Sequence, residues 1–300
     1  MFNFFKLKPY HTGYLPAEDG HRVYYQELGN PNGIPVISFH GGPGGSGRTK
    51  HAQIFNLKKY RVILFDQRGC GLSTYQDPLY KNTTLKTIND AKRLIEHLKI
   101  QRKVIISGGS FGATCALLFT ETYPEYVSKL VLNSVFLARP KDADNMSPIT
   151  SFFYPDVLNE LQEKAGKKNV FDYYYDLLFA QKRAENVKAV RYYRGLERTV
   201  GSLHPSFITT KITDDDIRRF RLFMHYQKNN FFLKENQLLK DAKKIAHIPT
   251  QIYQNRLDFC CPPYQAFELH QALPKSKLLI LADKGHGSPQ LFKSIRKDFE

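Results

Sequence analysis

Val104-Ile105-Ile106-Ser107-Gly108-Gly109-Ser110-Phe111-Gly112 lies little more than a third of the way along a 300-residue chain and combines three signals in nine positions. Val104 to Ser107 is a short β-branched run, as buried strands are. Ser110 then stands between glycines two positions before and two after it. From Phe111 to Thr122 the pattern is helical, and it ends before Pro124. A strand that turns this sharply into a helix has no room for side chains at the flanking positions, and the turn lifts the serine oxygen clear of the backbone at the sheet's C-terminal edge. A glycine-rich phosphate loop would require a lysine after it, and there is none. Ser110 is therefore the candidate nucleophile.

Outward from this turn the same grammar repeats. Arg22 to Leu28 alternates like a strand, and Val36 to Phe39, Arg61 to Phe65 and Leu130 to Asn133 are short buried runs. Leu85, Ile88, Ala91, Leu94, Ile95 and Leu98 recur at helical spacing. Towards the C-terminus come a strand Thr250 to Gln254, a helix Tyr264 to Leu273, a strand Lys277 to Leu281 and a last helix near Pro289 to Phe299. Strands alternating with helices imply an α/β architecture, a mostly parallel sheet covered on both faces. Between about 139 and 246 the strand runs vanish. Patterns such as Val170 to Phe179 and Ile217 to Tyr226 mark an inserted all-helical segment. The expected organisation is a core of 1–138 and 247–300 around a helical insert of 139–246. No repeat and no low-complexity tract interrupts it.

A serine hydroxyl is a weak nucleophile and needs a base, with a further group to orient that base. In a sheet of this kind the acid and then the histidine follow at later strand ends. Asp258 lies in the loop after the strand Thr250 to Gln254, and His286 in Asp283-Lys284-Gly285-His286-Gly287 after the strand Lys277 to Leu281. His204, His225 and His247 belong to the insert or its exit, and His270 to a helix, so they compete poorly. An oxyanion needs donors, and backbone amides supply them preorganised. His40-Gly41-Gly42-Pro43-Gly44-Gly45 follows a strand with almost no side chains, which makes the Gly42 and Phe111 N–H groups the expected pair. His40 reads as a brace for that loop. In Asp66-Gln67-Arg68-Gly69-Cys70-Gly71-Leu72-Ser73, Asp66 and Arg68 are suited to tying loops by charge-assisted hydrogen bonds, and Cys70 has no expected catalytic part.

Composition sets the boundaries. At this length roughly 75% of the surface is buried on folding, so a large core is available. With 42% hydrophobic and 24% charged residues the chain is an ordinary globular one. No apolar run approaches a membrane span, and Met1 to Tyr10 lacks the apolar stretch of a secretory signal, so the expected compartment is cytoplasmic. Cys70, Cys115, Cys260 and Cys261 are too few and too oddly spaced for a disulfide framework or zinc site and read as reduced thiols. No metal and no cofactor is expected. The net charge of +16 raises the question of an acidic partner, but lysines and arginines are scattered, with the Arg218 to Arg221 neighbourhood as the densest point. The expected reading is a basic solvated surface, with no nucleic-acid and no membrane partner.

Taken together, the His40 to Gly45 loop, the Asp66 to Ser73 loop, the Gly108 to Gly112 turn, Asn255 to Pro263 and Gly285-His286 resemble the proline iminopeptidases, or prolyl aminopeptidases, of the α/β-hydrolase fold. The resemblance covers nearly the whole chain. It implies a Ser110, Asp258 and His286 triad, a helical cap over the site, and small peptide substrates with a free N-terminus, from which an N-terminal proline is released. In that family glutamates of the cap receive the substrate's amino group. Tyr193-Arg194-Gly195-Leu196-Glu197 is similar to the motif carrying one of them, which makes Glu197 the matching acid; pairing with Arg194 or Arg198 on a solvated face is its other reading. A net charge of +16 repels a cationic terminus at long range, so a local carboxylate has to hold it.

The chain also departs from the pattern. Arg221-Leu222-Phe223-Met224-His225-Tyr226 is similar to a second cap motif, yet Phe223 stands where the family has another glutamate, and tryptophan is absent throughout. These changes leave the triad untouched and bear on the substrate. An esterase or small-amide hydrolase of the same fold is the alternative they favour. A dehalogenase or epoxide hydrolase would call for aspartate at position 110. A catalytically silent, ligand-binding relative is disfavoured because all three triad candidates are present.

Overall fold

The computed structural model describes residues 7–143, 151–203 and 211–300. His204 and parts of the 139–246 insert lie outside these residues. Eight strands build the main sheet: β1 (His11–Tyr14), β2 (Tyr24–Gly29), β3 (Ile34–Phe39), β4 (Tyr60–Phe65), β5 (Val104–Ser110), β6 (Val127–Val135), β7 (Thr250–Leu257) and β8 (Ser276–Lys284). Their spatial order is β1-β2-β4-β3-β5-β6-β7-β8. β2 runs antiparallel to both of its neighbours, and every other pairing is parallel.

Strands buried on both faces read as continuous apolar runs whose alternate residues enter different layers. Ile37, Phe39, Ile63, Phe65 and Ile106 enter one core together with Ile88, Leu94 and Phe119. Val36, Val62, Leu64 and Ile105 enter the other, against Phe55, Leu291, Ile295 and Phe299. The first face is covered by α1 (Thr84–His97), α2 (Phe111–Thr122) and α7 (Pro263–Ala272), the second by a short 3-10 turn, Thr49–Ile54, and α8 (Pro289–Lys297). α1 begins where the Thr83 hydroxyl accepts the Lys86 N–H, and α8 where the Ser288 hydroxyl accepts the Leu291 N–H. This is the α/β sheet-and-helix layering expected from the sequence. Several strands run beyond the limits read from the sequence, as β6 and β7 do, and two further differences have a physical reason. His21–Arg22 pairs separately with Thr74–Tyr75, so β2 starts at Tyr24. β1 escapes a reading based on apolar alternation because it is an exposed edge strand.

Between β6 and β7 the chain is helical: α3 (Pro155–Ala165), α4 (Val170–Phe179), α5 (Arg183–Ser202) and α6 (Asp214–Lys228). These four helices have their own core, containing Leu161, Tyr174, Leu178, Val190, Tyr193, Phe220 and Met224. α6 joins the two layers, because its Leu222 and Tyr226 belong to the core on the sheet. No helix among the described residues is long and apolar enough to cross a membrane.

Candidate active site

Because β3 to β8 run parallel, the loops leaving their C-terminal ends share one edge of the sheet. Ser110 ends β5, the His40 to Gly45 loop follows β3, Asp258 follows β7, and His286 follows β8. Ser110 has φ of 58°, a region that costs a non-glycine residue about 1–3 kcal/mol. The surrounding glycines show what imposes it. A Cβ at Gly108 would sit 2.1 Å from the Gly112 carbonyl oxygen, and one at Gly112 would sit 2.3 Å from that of Phe39. The Ser110 hydroxyl makes no capping bond to α2, which leaves its oxygen for the cavity.

Asp258 is fully buried, and its Oδ1 accepts the backbone N–H groups of Cys260 and Cys261 at 3.1 and 2.9 Å. The His286 Nδ1 lies 3.1 and 3.0 Å from its two carboxylate oxygens. With Nδ1 donating there, Nε2 remains to exchange a proton. Burial opposes the charged imidazolium, but the charge and hydrogen bond of Asp258, with a further contribution from Glu197, outweigh it and raise the His286 pKa above its ordinary value. Asn255, fully buried at a strand end, donates to the Gly285 carbonyl at 3.0 Å and to Ser288 Oγ at 3.2 Å. Gln254 spans from the Val135 N–H to the Cys261 carbonyl. From the helical layer, the Gly201 carbonyl accepts the His286 backbone N–H at 3.0 Å. None of these braces is evident in the sequence; their only trace is a pair of amides ending an apolar strand.

The loop after β3 is pressed against the nucleophile turn: a Cβ on Gly41 would lie 3.3 Å from that of Ser110. Gly42 lines a cavity of about 390 Å³ with Ser110, Glu197, Phe223, Gln227, Cys260, Cys261 and His286. Phe111 begins α2, where backbone N–H groups lack helical partners and the helix dipole is positive. Its ring is buried against Tyr226 and Phe231, at centroid distances of 5.2 and 5.9 Å. His40 takes the Gln67 N–H on Nε2 and approaches the Gly41 carbonyl with Nδ1, so it braces the loop. Burial, foremost, lowers its pKa.

Glu197 is exposed on α5 and is one of the residues lining this cavity. The surrounding protein raises its carboxyl above the ordinary range, opposed by the charges of His286, Arg219 and Arg194. No ion pair joins it to Arg194 or Arg198 among the described residues. Arg194 pairs with Asp216 instead. Phe223 and Gln227 share the cavity with Glu197. The remaining conspicuous groups are structural. Arg68 is wholly buried and holds Asp90 with two hydrogen bonds, of 2.6 and 3.0 Å. Asp66 accepts the Gly47 and Leu72 N–H groups at 2.6 and 2.7 Å. Burial pushes the Cys70 thiol up to about 12. His225 approaches the Asn82 carbonyl, and His270 the Ser276 hydroxyl. Asp258, Cys260 and His286 offer donor atoms within 4.8 Å of one another, the one such group of three among the described residues. Their carboxylate is already engaged by the imidazole and two amides.

Residues 34–289 match the family model of the alpha/beta hydrolase fold. A proline iminopeptidase of Arabidopsis thaliana is 36% identical over 291 residues, covering 94% of this chain and 76% of that protein. A probable proline iminopeptidase of Leptolyngbya boryana is 37% identical over 293 residues, 93% of this chain and 89% of that one. The chain belongs to the proline iminopeptidases of the α/β-hydrolase family. Among solved structures, a proline iminopeptidase-related protein from Thermus thermophilus superposes with a TM-score of 0.63, at 20% identity and over 96% of both chains. An alpha/beta hydrolase from a deep-sea metagenome library gives 0.61, likewise at 20% identity over 96% of both. At that identity the likeness speaks for the fold. Phe223, at the position where the resemblance implies a second cap glutamate, lines the same cavity as Glu197.

Proposed function

We propose that the chain is a serine exopeptidase that releases an N-terminal residue, proline by preference, from short peptides through an acyl-enzyme. Membership of the proline iminopeptidases supports the activity. The observation that carries the residue roles is one cavity bordered by Ser110, by an imidazole hydrogen-bonded to Asp258, and by the carboxyl group of Glu197. In this reading Ser110 Oγ adds to the carbonyl carbon of the first residue while His286 Nε2 takes its proton. The Gly42 and Phe111 N–H groups hold the oxyanion. Collapse breaks the C–N bond, and the leaving amine takes the proton from His286. Water, deprotonated by the same imidazole, then hydrolyses the ester. Glu197 receives the substrate's ammonium group, and the helical segment 139–246 acts as the cap over it.

Phe223 favours a second reading, an esterase or small-amide hydrolase, because it removes a carboxylate that a cationic substrate would use. A panel of prolyl and alanyl anilides, an N-blocked prolyl anilide and a short-chain ester separates the two. Ser110→Ala is expected to abolish turnover with the fold retained. Glu197→Gln is expected to reduce kcat/KM about 10- to 100-fold on free-amine substrates and leave N-blocked substrates unaffected. Fastest cleavage of the ester would select the second reading.

A further inference from the structure

Ser110 and His286 also border a second, larger cavity of about 570 Å³, which lies over the other face of the sheet between Thr49–Ile54 and α8. The two cavities share those two residues alone among the described lining residues. Their chemistry differs. The cap-side cavity carries Glu197, Arg198 and Asp142, the last already paired with Arg139, whereas no Asp or Glu lines the second, which is bordered by the cations Lys50 and Arg296. Its walls include Phe39, Ile54 and Phe292. It also holds a buried Ser134 hydroxyl with no hydrogen-bond partner among the described residues. His51 within it is neutral, because burial first, with the neighbouring His40, Lys50 and Arg48 charges, lowers its pKa to about 4. Recognition of an anion there falls to Lys50 and Arg296.

We infer that this second cavity is the leaving-group site and that it selects peptides ending in a free carboxylate one or two residues beyond the scissile bond. The inference rests on the peptidase reading above. A peptide has an amine at one end and a carboxylate at the other; Glu197 on the cap side suits the first, and the cationic, acid-free lining of the second cavity suits the other. His286 borders both, as the group that protonates the leaving amine must. The distances agree. Pro289, Phe292 and Arg296 line the cavity along α8, so Arg296 lies about 10 Å along the helix from the His286 loop. Two extended leaving residues span about 7 Å, and the arginine side chain covers the difference. Arg296 is only loosely engaged, 3.8 Å from the terminal Glu300.

The test compares prolyl-leucyl-glycine with prolyl-leucyl-glycinamide. The wild-type chain is expected to show about tenfold higher kcat/KM on the free acid, and Lys50→Gln/Arg296→Gln to bring that ratio close to one. A wild-type ratio of one, or a ratio that the double substitution does not alter, overturns the inference. The same pair read as binding to the Ser110→Ala protein makes the test independent of turnover: the acid is expected to bind about tenfold tighter, and equal Kd values overturn the proposal. Failure of the peptidase reading would show differently, as no release of proline from any substrate, anilide included.

Discussion

His286 is the residue on which the chemistry's pH dependence turns. It acts as a base only when neutral, and its two carboxylate neighbours outweigh burial in raising its pKa from the ordinary 6.5. Activity is therefore lost as pH falls through a value above 6.5, and the acid limb of kcat/KM against pH is expected there. Replacing Asp258 by Asn removes the largest influence favouring the imidazolium and leaves burial, which disfavours it. The limb is then expected to move to lower pH, while the plateau falls by about 10⁴-fold for want of the right tautomer. A pH–rate profile on a prolyl anilide measures both. An acid limb that stays in place in Asp258→Asn would show that another group sets it.

At the scale of elements, α2 presents Ser110 and Phe111 at its start and hides a carboxyl near its end. Glu121 is buried, and neither of its oxygens has a hydrogen-bond partner among the described residues. Burial above all, then the Asp241 charge, pushes its pKa up to about 9 against the pull of Lys244. The folded chain thus keeps a proton that the unfolded chain gives up near 4.5, so this group's contribution falls as pH rises between those values. Glu121→Gln retains the shape without the titration. It is expected to stabilise the fold by about 1–3 kcal/mol at pH 8 and by little at pH 4. Urea unfolding at both pH values decides it, and an equal effect at the two would count against the buried acid. In the sequence Glu121 looks like any solvated helix residue, because what covers it lies more than a hundred residues away. The same reason separates what was legible from what was not. Gly108 to Gly112 and the loops holding Asp258 and His286 are local patterns, and they placed the candidate site on the sheet edge. The Gly201 carbonyl that holds the His286 N–H, and the second cavity beside Ser110, arise only from how distant segments pack.

For the whole molecule the dominant quantity is its charge of +16, from 44 basic and 28 acidic residues. A prolyl anilide approaches as a cation, so the long-range field slows its encounter, while Glu197 acts only within the cavity. Salt separates the two effects, because the screening length shrinks from about 30 Å at 0.01 M to about 10 Å at 0.1 M. Raising ionic strength over that range is expected to increase kcat/KM for the anilide severalfold. The zwitterionic prolyl-leucyl-glycine, with no net charge to repel, is expected to change little. In Glu197→Gln the anilide should be turned over more slowly at every salt concentration yet keep the same upward slope, since the slope belongs to the whole surface and the local contact to one carboxylate. A kcat/KM for the cation that falls with added salt would instead mean that the acidic lining of the cavity governs approach from outside, and that the basic surface is electrostatically silent to this substrate.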